Sequence, residues 1–349
     1  MLVSFVIFYL LLNLVIGWWA SKKVHSTQDF ILAGRSLPFA LATMVTFATW
    51  FGSETMLGAP REFVHGGVLA IIEEPFGAAL GLLIVGSIYA KKLYPLPVLT
   101  FSDYFRIRFG AMSEKLSAIV MIPSYFGWIS AQLVALGMTL HLLLPITTEM
   151  GIVIGAVLVM TYTLLGGMWS ITITDFLHNI ILIVGLLFLA YLLMDKIPDW
   201  GLFIDQQPPG FFRFIPKENT WVDWLTYSAA WMTIGLGSIP QQDIFQRVMS
   251  AKSAKIASKA SLAAGMMYLS IAMLPLLIAL IAVRLYPSLL AEDALLIPNL
   301  VMKFTPYGVQ ILFLGALLSA LLSTTSGAIL APASVLGENL LKPMLKKPD

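Results

Sequence analysis

Nine apolar stretches, each close to the roughly 20 residues that cross a bilayer core, set the limits on how this chain can fold. They fall near 3–20, 37–59, 67–90, 117–145, 150–166, 171–194, 223–240, 262–285 and 308–337. A helix satisfies its own backbone in lipid, so the stretches read as an all-α membrane protein of about nine transmembrane helices. Composition agrees: 58% of the 349 residues are hydrophobic and 11% charged, against about 25% charged in a soluble domain. The net charge of +2 is too small to imply a nucleic-acid partner. With no Cys in the chain, disulfides and thiolate metal sites are excluded. Leu2 to Ala20 carries no basic residue before it and Lys22 and Lys23 after it, which suits a retained helix better than a cleaved signal peptide.

Successive spans alternate in direction, so the connections form two sets. One comprises 21–36, 91–116, 241–261 and the tail after 338, and holds Lys22, Lys23, Arg35, Lys91, Lys92, Arg106, Arg108, Lys115, Arg247, Lys252, Lys255, Lys259, Lys342, Lys346 and Lys347. The other holds only Arg61, Lys196, Arg213, Lys217, Arg284 and Lys303. The positive-inside rule therefore puts the N-terminus outside and the C-terminal tail in the cytoplasm, with residues 1–349 forming one membrane domain. The longest outer connection, 195–222, is rich in Pro, Asp and aromatics and is expected to lie along the membrane surface.

Two spans carry helix-breaking residues beside polar ones. The second reads Ala48-Thr49-Trp50-Phe51-Gly52-Ser53-Glu54-Thr55, and the seventh reads Gly235-Leu236-Gly237-Ser238-Ile239-Pro240. Unwound backbone at membrane depth is tolerated only against protein or a polar cavity, and transporters use it to aim carbonyls at ions and substrates. The plainer alternative is a glycine that permits close packing or a proline kink. In the ninth span Ser319, Ser323 and Ser326 share one face, with Thr324 at its edge. Their hydroxyls offer neutral oxygen to a monovalent cation, or bond back to their own helix.

Four strings, in order, are similar to the sodium:solute symporter family. They are Asp29-Phe-Ile-Leu-Ala-Gly-Arg-Ser-Leu-Pro38, then Tyr162-Thr-Leu-Leu-Gly-Gly-Met-Trp-Ser170 with Thr174-Asp175. Ile239-Pro-Gln-Gln-Asp-Ile-Phe-Gln-Arg-Val248 with Ser250-Ala-Lys252 follows, and last the Ser/Thr run that leads to Gly337-Glu338-Asn339. The resemblance implies a leucine-transporter-type fold, an inverted repeat of five plus five helices after the first, with helices two and seven broken. It implies a coupling Na⁺ held by the carbonyls of Ala48, Phe51 and Ala320 and the hydroxyls of Ser323 and Thr324. A second sodium would use Asp175 and Ser326, although Gly327 stands where a further serine helps in relatives. The chain also stops after the third helix of the second repeat, so the repeat fold is expected to be incomplete and the chain to be a fragment, a split product or a portion.

For the solute, Trp50 and Trp128 resemble aromatic positions of the choline-transporting branch, and Tyr227 and Trp231 add rings on the seventh span. Ring faces attract an organic cation by about 0.5–2 kcal/mol each, and Glu54, Glu73 and Glu74 offer negative charge. Packing or an interfacial belt is the alternative for the rings. Glu74 also matches an acid of sugar-transporting relatives, so a sugar or polyol stands beside an organic cation or an amino acid such as proline.

The function this implies is sodium-coupled symport of a small polar solute across the plasma membrane, the inner membrane in a bacterium. A transporter-fold sensor and an inactive fragment are the alternatives. Enzymatic hydrolysis is disfavoured: His25, His65, His141 and His178 form no HExxH spacing, and the one tempting pair is His178 three residues after Asp175.

Overall fold

The computed structural model describes residues 2–218 and 220–345, so Lys346 and Lys347 of the basic tail lie outside the described residues. The regular structure of the described residues is helical, apart from one isolated bridge between Leu37 and Ala251. Among the described residues six helices are long and apolar enough to cross a membrane. They are α1 (Leu2–Ser21), α4 (Val68–Leu93), α6 (Ala111–Leu143), α7 (Thr148–Met194), α10 (Ala254–Leu285) and α12 (Tyr307–Leu345). Between them come the shorter helices α2 (Phe39–Ala48), α3 (Ala59–Gly66), α5 (Phe101–Phe109), α8 (Trp221–Gly235), α9 (Gln242–Ser250) and α11 (Leu296–Phe304).

Six and nine differ for two physical reasons. The second and seventh stretches are each divided by a break into pieces too short to span alone: α2 and α3, and α8 and α9. The fifth and sixth stretches form one helical path, α7, of 47 residues. Laid straight it would run about 70 Å, over twice a hydrocarbon core of roughly 30 Å. It turns instead at Gly167, whose φ of +50° is a left-handed value open to glycine. A Cβ there would lie 2.3 Å from the Phe30 carbonyl. The turn explains how Tyr162 and Asp175, thirteen positions apart, reach adjacent residues of α12: Tyr162 donates to the Leu322 carbonyl at 2.8 Å, and Asp175 accepts from Ser323 at 2.5 Å.

A third break was not expected. Glu74 in α4 has φ −134° and ψ 112°, the extended conformation that a following proline, here Pro75, imposes on its neighbour.

The two sets of connections gather at opposite ends. At one end Leu37 N–H donates to the Ser250 carbonyl, Lys252 N–H to Leu37, and Tyr94 to Ala251. Asn339 donates there to Asp103 (2.7 Å) and Glu114 (2.9 Å) and accepts from Thr100 (2.7 Å). At the other end Arg61 and His65 both reach Asp293, at 3.1 and 3.0 Å. The hydrogen bond from His65, then Arg61, holds the Asp293 carboxyl below the ordinary aspartate range. The long 195–222 connection docks at this end, where Phe211 accepts from Val68 N–H at 2.9 Å and stacks on Phe63 at 5.0 Å. At the core, α12 packs against both limbs of α7 and against α6, and its segment Phe313–Ala328 is buried throughout.

Candidate ion and solute site

The site begins where α2 ends. Along α2 the hydroxyls of Thr43, Thr46 and Thr49 each bond back to the carbonyl four residues earlier, at 2.7–2.8 Å, and so stay inside their own helix. After Ala48 that regularity stops: Gly52 N–H turns to the Trp50 carbonyl at 2.8 Å. The Ala48 carbonyl takes a donor from another helix instead, the Thr324 hydroxyl of α12 at 3.1 Å. Gly52 permits the approach. A Cβ at that position would meet Thr324 at 2.8 Å and the Gln132 side-chain oxygen at 2.6 Å.

Of the residues assigned to sodium by resemblance, Ala48 and Thr324 thus meet, and Ser323 directly precedes Thr324 on α12. Phe51 and Ala320 are buried on the same two segments. Ser326 donates to the Ser323 carbonyl at 2.8 Å, and Asp175 bonds Ser323 through one oxygen while its other oxygen is buried without a partner. Asp175 is fully buried among the helices. Carbonyl and hydroxyl oxygens released from helical bonding, with one unsatisfied carboxylate oxygen nearby, fit a hard monovalent cation. Where a serine would complete the second sodium set, Gly327 faces Arg247: a Cβ there would be 2.3 Å from the guanidinium. His178 does not pair with Asp175; its Nε2 lies 2.8 Å from the Asn13 side-chain oxygen. Among the described residues no cluster of three or more His, Asp or Glu is arranged for a metal.

On the far side of the same break lies a cavity of about 170 Å³ lined by Trp50, Glu54, Glu74 and Trp128, with Ser124, Tyr125, Ile234, Ser238 and Gln241. The last three come from the end of α8 and the break after it, so the second and seventh spans share one chamber. Each acid is held. Gln132 donates to Glu54 at 2.6 Å while accepting from Ser53 N–H at 2.9 Å. Glu74 accepts from Thr55 at 2.7 Å and from the Tyr268 hydroxyl, whose oxygen also lies 3.1 Å from the Trp50 carbonyl. Glu73 does not line the cavity.

Tyr227 and Trp231, expected among the cavity rings, stand elsewhere. Trp231 packs on Phe76 and Phe214, with centroids at 6.4 and 5.9 Å, and Tyr227 continues this stack toward Trp224. The 195–222 connection supplies Phe214 as their partner, a fold-back that spacing along α8 alone does not reveal.

Sequence reasoning passed over four residues here: Tyr125, Gln132, Asp243 and Tyr268. Tyr125, Trp128 and Gln132 share one face of α6 by their spacing of three and four, a signal available from the sequence. Asp243 is a buried acid just past the second break, which marks a functional position by default. Trp50 donates to it at 2.9 Å and Tyr125 at 2.6 Å.

An all-helical membrane fold with two broken spans around an ion-fitting oxygen cluster and a cavity holding two acids defines a transporter-type architecture. The pattern of the sodium:solute symporter family matches residues 30–349, and the chain belongs to that family, one of transporters rather than enzymes. It is 29% identical over 357 residues to a high-affinity choline transporter of Drosophila melanogaster, covering 97% of this chain and 56% of the relative. The human high-affinity choline transporter is 27% identical, over 97% of this chain and 61% of its own length. A sodium/proline symporter of Staphylococcus aureus is 25% identical, over 96% and 67%. The chain thus spans 56–63% of the length of the first choline transporters it matches. A solved Na⁺-coupled sialic acid symporter shares the fold, with a TM-score of 0.87 at 18% identity over all of this chain and 75% of that one.

Proposed function

We propose that this chain carries out sodium-coupled symport of a small organic solute, with a cationic solute favoured. The observation that carries the reading is that one helix break serves two sites. Its carbonyl face, at Ala48, meets Thr324, next to Ser323 on α12, and its side-chain face presents Trp50 and Glu54 to the cavity. An ion bound on the first face fixes the backbone that shapes the second, so each ligand favours the conformation that binds the other, and such coupling is reciprocal. In this reading Na⁺ takes Ala48, Phe51, Ala320, Ser323 and Thr324, and Asp175 with Ser326 stands beside it. The solute meets Trp50, Glu54, Glu74 and Trp128. Two acids and several ring faces in a chamber lined by no basic residue support a cation over a neutral sugar.

The same proposal takes the chain as one transmembrane domain of nine spans within a five-plus-five inverted repeat, in the plasma membrane, N-terminus outside. In this otherwise Cys-free chain, a single Cys at Lys255 is expected to resist an impermeant thiol reagent in intact cells, and one at Arg213 to react. The reverse labelling would overturn the orientation. For the activity itself, radiolabelled choline, betaine, proline and glucose are offered to cells expressing the full-length protein, with and without an inward sodium gradient. Gradient-dependent uptake of choline or betaine is expected. Gradient-dependent uptake of glucose alone would move the solute class to sugars, and uptake indifferent to sodium would remove the symport reading.

A further inference from the structure

Asp243 is placed where a neutral residue would hold the structure together more cheaply. It is fully buried on α9, and it does not line the cavity. What it holds does line the cavity. The Trp50 indole N–H donates to one carboxylate oxygen at 2.9 Å and the Tyr125 hydroxyl to the other at 2.6 Å. The Tyr125 oxygen in turn accepts the Asp243 backbone N–H at 3.1 Å. Both carboxylate oxygens thus accept a side-chain donor, an arrangement that favours the ionised acid.

Ordinary scaffolding does not account for the charge. An amide or a carbonyl can accept from an indole and a phenol without carrying a full charge into the protein interior, which is costly. The nearby Arg247, itself buried, attracts the carboxylate without a direct contact: its guanidinium reaches the backbone carbonyl of Asp243, at 3.3 Å. A hydrogen bond donated to an anion draws the proton outward and leaves the ring richer in electrons. The attraction of a cation to a ring face is electrostatic, so two rings bonded to a carboxylate behind them present more negative faces to the chamber than free rings would.

We propose that Asp243 is a positioning and specificity-determining residue that acts through Trp50 and Tyr125, making the cavity select an organic cation over an uncharged solute of the same shape. The inference rests on the reading of this cavity as the solute site. It adds a source of charge selectivity separate from Glu54 and Glu74, which face the chamber directly.

The test uses a matched pair of ligands, choline and its carbon isostere 3,3-dimethylbutan-1-ol, which differ in the charge of one centre. Binding of each to the purified full-length protein in saturating sodium is measured by calorimetry for wild type, Asp243→Asn and Tyr125→Phe. Wild type is expected to prefer choline. Asp243→Asn should lower that preference roughly 3- to 30-fold while binding of the isostere changes less than about twofold. Tyr125→Phe keeps the acid and the ring but removes one link, so it should lower the preference in the same direction by less. It also carries the test should Asp243→Asn fail to fold. Equal loss for both ligands would reduce Asp243 to a scaffold and overturn the proposal, as would an unchanged preference or a wild type that does not discriminate. The symport reading is checked separately by repeating the wild-type titration without sodium, since it requires weaker binding of whichever ligand binds.

Discussion

Gly52→Ala is expected to abolish sodium-dependent uptake while the protein still reaches the membrane. The added methyl would meet Thr324 Cβ and Cγ2 at 2.8 Å and the Gln132 side-chain oxygen at 2.6 Å. Neither neighbour is the free end of a long chain. Thr324 sits in the buried middle of α12 and bonds Ala48, and Gln132 is pinned between Ser53 and Glu54. Overpacking of this kind costs about 1–3 kcal/mol, and relief requires the break to move away from α12. That movement separates the Ala48 carbonyl from the Thr324 hydroxyl and turns Glu54 out of register. Gly58→Ala is the control, because a Cβ there meets nothing within 4 Å and alanine favours a helix; it should transport as wild type. Uptake assays with surface labelling measure both variants. Normal sodium dependence in Gly52→Ala would show that the packed approach of break and α12 is not needed.

Trp50→Leu is expected to weaken a cationic solute by two separate routes. Losing the ring face removes about 0.5–2 kcal/mol of cation attraction. Losing the indole N–H strands a carboxylate oxygen of Asp243, and an unsatisfied buried acceptor costs about 1–3 kcal/mol. Trp50→Phe divides the two, since it returns a ring but no donor. If packing were all that mattered, phenylalanine would nearly restore the site. With the hydrogen bond to Asp243 at 2.9 Å, Trp50→Phe should recover only part of the affinity, read as the half-saturating solute concentration in uptake. Full recovery by phenylalanine would make the Asp243 link dispensable.

Much of the membrane fold is legible because lipid makes local demands. Each crossing has to be apolar and helical, so the positions of α1, α4, α6 and α10 follow from hydropathy alone. The breaks at Ala48–Gly52 and Gly235–Pro240 are visible because glycine and proline beside polar residues have few other uses at that depth. The break at Glu74 carried the same signal, Pro75 beside Glu73 and Glu74, but the two acids were read for their charge alone. One helical path through Gly167 looked like two because hydropathy marks length without marking continuity.

The candidate site divides in the same way. Ala48, Ser323 and Thr324 were reached through resemblance to the family, not from spacing. Within the chamber, Trp50, Glu54, Glu74 and Trp128 stood out as residues uncommon at depth. Tyr227 and Trp231 stood out for the same reason, yet Phe76 and Phe214 claim them, since a ring's type does not reveal its partner. Asp243 and Tyr268 act through residues distant in sequence, Trp50 by 193 and 218 positions, and no local pattern carries such pairings.

The central claim, that the break after α2 and the hydroxyls of α12 hold the coupling ion, is tested most directly by sodium titration of solute uptake. The full-length protein, Ser323→Ala and Thr324→Ala are each reconstituted into vesicles, and the sodium concentration for half-maximal uptake is measured at fixed membrane potential. Both variants keep the shape of α12 and remove one oxygen from the proposed shell. Losing one such ligand, at about 1–2 kcal/mol for a hydrogen-bonding oxygen, should raise the half-maximal sodium concentration roughly 5- to 30-fold, with uptake recovering when sodium is raised. An unchanged sodium requirement in both variants would contradict the site.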